Sequence, residues 1–338
     1  MMELRMGLLF CVLGLLASVA SSIQLEPETQ CAGRAKTFVL GFVGHSGSTA
    51  LMSILAQNSR LFVPRNTEPL ISMNFHAKES MLTSQLIFDK VLAEGREELS
   101  PGFKVRPGNI RGGEDLWQGL IDKYDTRLVV NYRENPWMSA VGLFAIRARN
   151  DLSSQMGLKN ETSEEHCELH PELCRFPIDD INLFSLLLWK SLDTREGTLE
   201  IARNLKWPCL MYVKYEDFDK DMETEVNRIY DFLGVPKEFR EPLYHKALPR
   251  SPCQIISNYQ EICTMFWGCE DFQPYIEDPE NGCFCENKPS SPVNPELCDR
   301  KTVHNNAEKE LCKVVTENGH VRQVACSSLE GNNADASE

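Results

Sequence analysis

The sequence predicts an α/β fold of three layers, a central, mainly parallel sheet flanked by helices, with a Cys-rich C-terminal extension. Three observations predict it. Apolar runs that read as strands alternate with helical patterns through the first 235 residues, the signature of parallel βαβ units. The stretch FVGHSGSTALMSIL, residues 42–55, passes from strand through a hydroxyl-rich turn into helix. Eight of the 13 cysteines lie between Cys253 and Cys326, where the alternation gives way to Cys, Pro and Gly punctuation.

The N-terminal segment reads as a secretory signal. Arg5 precedes GLLFCVLGLLASVA, an apolar run of 14 residues, and Ser18 and Ala20 supply small side chains for a cut after Ala20. Residues 1–20 are therefore expected to be removed. The alternative is a membrane anchor, but a span needs roughly 20 apolar residues. Either way the remainder is expected in the secretory pathway, secreted or in the Golgi lumen.

The α/β domain is expected over residues 31–250. TFVLGFV is a continuous apolar strand, and the helix from Ser48 places Leu51, Ile54 and Leu55 on one face. LFV is a short second strand, and a helix covers 78–93. RLVVNY, residues 127–132, is a long buried strand followed by a helix from Trp137 to Arg149. An acidic insertion then carries Cys167 and Cys174, expected to pair with each other. Asn160-Glu161-Thr162 beside them is a glycosylation acceptor. DINLFSLLLWKSLDTREGTLEIARNL is one long helix and CLMYVKY a third long strand. The helix DMETEVNRIYDFLG ends at Gly234, with Pro236 as the stop. Residues 251–327 form the disulfide-rich extension, and 328–338 a disordered acidic tail.

Thirty-five basic against 49 acidic residues give a net charge of −14. That argues against nucleic acid as a partner. It argues less strongly against a polyanionic acceptor, because a local basic groove can persist in an acidic protein. Without Cys11, 12 cysteines remain, an even number suited to disulfides in an oxidising compartment. Cys283 and Cys285 are spaced CxC with no paired His, so no metal site is expected.

In GHSGST the backbone N–H groups of Ser46, Gly47, Ser48 and Thr49 stand where a helix begins. Such donors, at the positive end of a helix dipole, favour an anion. Gly47 permits close approach, and Ser48 and Thr49 add hydroxyls. The alternative is a serine-capped turn without a ligand. A nucleotide triphosphatase loop requires GxxxxGK[ST]; its Lys is absent, and no Asp ends a later strand to hold magnesium.

Five further segments, in order, resemble the sulfotransferase family. The loop is similar to that family's 5′-phosphosulfate loop, with His45 where a Lys or Arg usually stands. Glu68-Pro69-Leu70 resembles a segment of the carbohydrate sulfotransferases, and Lys104-Val105-Arg106 the basic segment expected ahead of the next strand. VVNYRENPWMSAVG resembles the strand and turn that grip a 3′-phosphate. YVKYEDF resembles a family strand end, and VNRIYDFLGVP the helix after it. The resemblance spans roughly residues 36–240 and implies a P-loop-like three-layer fold.

The resemblance also implies 3′-phosphoadenosine 5′-phosphosulfate as donor and a hydroxyl or amine acceptor, with no metal. A carbohydrate hydroxyl is the expected acceptor; a protein tyrosine or a small metabolite stays open. His45, Ser46, Gly47, Ser48 and Thr49 would hold the 5′-phosphate. Beside a phosphosulfate His45 can be protonated and still serve, because a nearby anion raises an imidazole's pKa; the alternative is that it marks a lost activity. Arg133 would pair with the 3′-phosphate as a fork, with Ser139 as hydroxyl partner; the alternative for Arg133 is a surface ion pair. The family spaces its Arg and Ser eight residues apart, whereas position 141 is Val and Ser139 lies six away. Glu68 is the expected general base, or else a charge at the start of a short helix. Lys104 and Arg106 would steady the sulfuryl oxygens, or else form a solvated basic turn. Tyr215, Glu216 and Asp217 read as structural, the two carboxylates accepting backbone hydrogen bonds. A second function class is a non-catalytic secreted relative that binds a sulfated or phosphorylated ligand. Membrane association is expected only through an uncleaved N-terminal segment.

Overall fold

The computed structural model describes residues 25–93, 95–96, 98–149, 158–159, 161–248, 251–315 and 321–325. The expected signal segment 1–20, the acceptor Asn160 and the tail 328–338 lie outside the described residues. Five strands, β1 (Thr37–Phe42), β2 (Leu61–Phe62), β3 (Ser100–Val105), β4 (Thr126–Tyr132) and β5 (Leu210–Lys214), form one parallel sheet in the order β2-β3-β1-β4-β5. Strand order reverses at β1, so the crevice beyond its C-terminal end is where ligands of open α/β sheets bind.

Every residue of β1, β3 and β4 is buried. Burial on both faces explains why β1 and β4 read as near-continuous apolar runs. β3 is a correction to the sequence reading. The segment SPGFKV pairs with β1 from Phe38↔Gly102 to Gly41↔Val105, so Lys104 and Val105 end a strand rather than precede one.

The chain between strands forms helices α1 (Ser48–Leu55), α2 (Ala77–Ala93), α3 (Pro107–Ile110), α4 (Glu114–Tyr124) and α5 (Pro136–Arg149). Further on come α6 (Ser163–Leu169), α7 (Pro171–Cys174), α8 (Ile181–Asn204), α9 (Tyr215–Lys220) and α10 (Met222–Leu233). Alternate strand residues face opposite layers. Phe38, Leu40, Met211 and Val213 pack with α1 and α10, whereas Val39, Leu128, Val130 and Tyr212 pack with residues of α2, α4 and α8. The YEDF segment is a second correction: β5 stops at Lys214, and Tyr215 opens a short helix.

The C-terminal region contributes α11 (Pro252–Ile255), α12 (Tyr259–Phe266), α13 (Gln273–Ile276), α14 (Arg300–Glu310) and an antiparallel pair, β6 (Leu311–Val315) with β7 (Val321–Ala325). Its apolar side chains share one core with α5 and the first half of α8. Trp137 of α5 meets Phe184 and Phe266 edge-on, with ring centroids 5.3 and 5.6 Å away. Among the described residues three disulfides staple the region: Cys253–Cys283, Cys263–Cys285 and Cys269–Cys298. Cys167 pairs with Cys174, as expected, and Cys31 with Cys209. Among the described residues no helix is long and apolar enough to cross a membrane.

Candidate active site

The turn from β1 to α1 leaves the first amides of α1 without a side-chain cap. Its backbone has φ of 61° at His45 and 69° at Gly47. Gly47 is required twice over: φ lies in the left-handed region, and a Cβ there would come within 3.0 Å of the Tyr215 ring. The Ser46 hydroxyl lies 2.7 Å from the Val43 carbonyl and 2.6 Å from Asn131 Oδ1. Its side chain is therefore committed to β4, and only its backbone N–H is left to face a ligand. Ser48 and Thr49 open α1, so their N–H groups have no carbonyl one turn earlier to bond within the helix.

Glu68 is placed beside this turn from β3. Lys104 N donates to the Thr67 carbonyl at 2.8 Å, and Asn109 Nδ2 donates to the Leu70 carbonyl at 3.0 Å. These bonds fix the chain on either side of Glu68. Its carboxylate then meets Lys104 Nζ at 3.6 Å and pairs closely with Arg106 Nε. Lys104 Nζ also reaches the Thr49 hydroxyl at 3.4 Å. Both cations lie over the Phe42 ring, at 4.6 and 4.9 Å from its centroid. Lys104 is only 4% exposed, so the alternative of a solvated basic turn does not describe it. Burial pushes its ammonium down from the usual lysine range, and the Glu68 carboxylate opposes that.

Arg133 follows the last residue of β4. Its Nη1 donates to the His45 carbonyl at 2.9 Å, and its guanidinium stacks on the Tyr215 ring at 4.2 Å. Its Nε is buried without a partner. The guanidinium thus reaches the turn rather than pointing away from it. Ser139 is buried in the first half of α5, and no hydrogen bond joins it to Arg133, so nothing here links this serine to that guanidinium.

His45 stands at the front of the turn. Its ring lies against Gly142, where a Cβ would approach Nδ1 to 2.9 Å. Burial, followed by the charges of Arg133 and Arg106, holds its pKa down to about 4. The imidazole is neutral at neutral pH, and the positive charge of the site comes from Lys104, Arg106 and Arg133.

Glu216 accepts the N–H groups of Glu134 at 3.2 Å and Asn135 at 3.0 Å, the structural role read for it from the sequence. Tyr215, also read as structural, carries Arg133 on its face. Two contributors escaped that reading: Phe42 carries cations on its face, and Asn131 joins the turn to β5 through Ser46 and, at 3.4 Å, the Val213 carbonyl. The signal for Asn131 was a lone amide inside the apolar run VVNY. His76 is exposed on the loop after Glu68, and Cys283 and Cys285 are both in disulfides.

Fold and site together define an α/β protein with a helix-opening turn at its switch point, ringed by cations from the ends of β3 and β4. A family profile described as Sulfotransferase domain matches residues 195–265, which run from α8 through β5, α9 and α10 into α12. Over that segment the chain is similar to the sulfotransferase family. No curated protein matches it. Among solved structures it is similar to a sulfotransferase from Alicyclobacillus acidocaldarius, at 16% identity and a TM-score of 0.40, over 72% of this chain and 96% of the other. It is also similar to the sulfotransferase domain from the curacin biosynthetic pathway, at 18% identity and 0.34, over 62% and 76%. The sulfotransferase domain from the Synechococcus PCC 7002 olefin synthase follows, at 14% identity and 0.34, over 84% and 98%.

Proposed function

We propose that the chain transfers a sulfuryl group from 3′-phosphoadenosine 5′-phosphosulfate to a carbohydrate hydroxyl in the secretory pathway. The observation that carries this reading is the meeting of Glu68, Lys104, Arg106 and Thr49 beside a turn whose other wall is Arg133. When bound, the donor supplies an activated sulfuryl group on a phosphate leaving group. The buried, unpaired Nε of Arg133 and the open amides of Gly47, Ser48 and Thr49 suit a doubly phosphorylated nucleotide. Amides and the Thr49 hydroxyl would hold the 5′-phosphate, and Arg133 the 3′-phosphate.

In this reading Glu68 takes the proton of the attacking hydroxyl. Lys104, held on Thr49 and Glu68, would face the charge that grows on the leaving side. Arg106 would orient the Glu68 carboxylate through their close pair. His45 would contribute its backbone carbonyl, which anchors Arg133. The five disulfides among the described residues suit an oxidising lumen.

His45 in place of a permanent cation, and Ser139 at six rather than eight residues from Arg133, favour a second reading, a non-catalytic relative that binds a sulfated or phosphorylated ligand. Retention of Glu68 between two cations favours catalysis, because binding an anion needs no base. Two substitutions decide. Glu68→Gln is expected to abolish transfer of radiolabelled sulfate to a glycan panel while affinity for adenosine 3′,5′-bisphosphate stays within about threefold. Unchanged transfer would remove Glu68 as base. A chain that binds the bisphosphate but transfers nothing to glycans, tyrosine peptides or phenols would support the second reading. Arg133→Ala is expected to weaken the bisphosphate far more than adenosine 5′-phosphate in calorimetric titrations; equal losses would place Arg133 elsewhere.

A further inference from the structure

We infer that Arg195 is a positioning residue for the nucleotide cradle and couples the disulfide-stapled C-terminal region to the Arg133 turn. The inference rests on the reading above, in which Arg133 meets a 3′-phosphate. Residues Arg133 to Asn135 join β4 to α5 without regular structure, so their backbone needs partners from elsewhere. Glu216 accepts the two N–H groups of Glu134 and Asn135, at 3.2 and 3.0 Å. The Glu134 carbonyl accepts from Arg195 Nη1 at 2.7 Å. One peptide segment is thus gripped at its donors by an acid from α9 and at its acceptor by a base from α8.

Arg195 is an unusual choice for packing alone. It is 7% exposed, and its Nε is buried without a partner. Among the described residues its charge is offset only at Nη2, by Glu196 at 3.4 Å, whose side chain is 44% exposed. Burying a cation is costly unless its hydrogen bonds are put to use. The use on view is the Glu134 carbonyl, one residue after Arg133.

The same Nη1 lies 3.5 Å from the Tyr275 hydroxyl in α13. Tyr275 sits between Cys269 and Cys283, each held in a disulfide. Two residues beyond Asn135, Trp137 packs against Phe266 of the same region. The C-terminal region therefore touches the turn by two routes: a polar one through Tyr275 and Arg195, and an apolar one through Trp137. A displacement of α13 would move the Glu134 peptide and, with it, the base of the Arg133 side chain. Among the described residues no hydrogen bond or ion pair joins Arg195 to the β1–α1 turn, so its effect should be selective for the 3′-phosphate.

The test uses the full disulfide-bonded chain and two nucleotides, adenosine 3′,5′-bisphosphate and adenosine 5′-phosphate, titrated by calorimetry. Arg195→Met is expected to weaken the bisphosphate about tenfold and the 5′-phosphate by less than about twofold. Arg195→Lys keeps one donor for the Glu134 carbonyl and should recover most of the loss. Tyr275→Phe, which removes one hydroxyl, should lower bisphosphate affinity about two- to threefold in the same selective way. Equal weakening of both nucleotides, or none in any variant, overturns the inference. If Arg195→Met does not fold, Arg195→Lys and Tyr275→Phe carry the same comparison. Failure of the unsubstituted chain to bind the bisphosphate would overturn the functional reading first, and the inference with it.

Discussion

At residue scale, His45 shows how a site can refuse the charge its sequence suggests. In the unfolded chain its imidazole takes a proton near pH 6.5, whereas in the folded chain burial, Arg133 and Arg106 delay this to about pH 4. Between those values the unfolded state binds more protons, so its contribution is a loss of stability as pH falls from 6.5 toward 4. Above pH 6.5 it contributes no pH dependence. Replacing His45 by Asn, which tolerates the positive φ, should flatten part of that decline. Urea midpoints at pH 7.5 and pH 4.5 measure it: the drop between them should be smaller in the variant. Equal drops would mean that the imidazole titrates as freely folded as unfolded. An anion held at the turn would pull the same pKa back up, so a cationic His45 belongs to the liganded state.

At the scale of elements, the β1–α1 turn and α9 act as a pair, because Tyr215 supports both Gly47 and Arg133. Gly47→Ala forces a Cβ into the left-handed region, at a cost of about 1–2 kcal/mol. It also pushes on the Tyr215 ring, so bisphosphate affinity should fall by more than an order of magnitude beyond any unfolding. Gly44→Ala is the control, since nothing lies within 4 Å of a Cβ there. Calorimetry beside urea denaturation separates the two; equal behaviour of the variants would show that the ring yields freely. This pairing was hidden in the sequence for a physical reason. Strands β1, β4 and β5 and helices α1, α5, α8 and α10 were legible because burial writes an apolar run or a helical period. β3 was not, because in SPGFKV only Phe103 and Val105 are large and apolar, and Ser, Pro, Gly and the buried Lys104, which ends over Phe42, break the run. The site's polar residues were legible as ordered motifs, because parallel strands bring their C-terminal ends to one edge. Which ring carries which cation depends on packing between distant segments, and no local pattern encodes that.

At the scale of the molecule, the disulfides divide into long-range and local. Cys31–Cys209 spans 178 residues, and Cys167–Cys174 spans 7. The first ties the N-terminal segment to the start of β5, where Thr29 and Leu210 exchange backbone bonds at 2.9 and 3.2 Å. That segment covers an edge strand that would otherwise offer unpaired backbone groups to other chains. Restricting the unfolded chain across a loop of that length is worth about 5 kcal/mol in the entropy model, against about 2 kcal/mol for the short loop. Removing Cys31 and Cys209 together should therefore lower the urea midpoint more than removing Cys167 and Cys174 together. It should also raise concentration-dependent association, read by light scattering at the midpoint, because the β5 edge loses its cover. The local pair should leave association unchanged. If both double variants lose the same stability and neither associates, the N-terminal segment holds its place through Thr29 and Glu28 without the covalent link. The hydrogen bond from Tyr212 N to Glu28 Oε1, at 2.8 Å, would then be the contact to remove next.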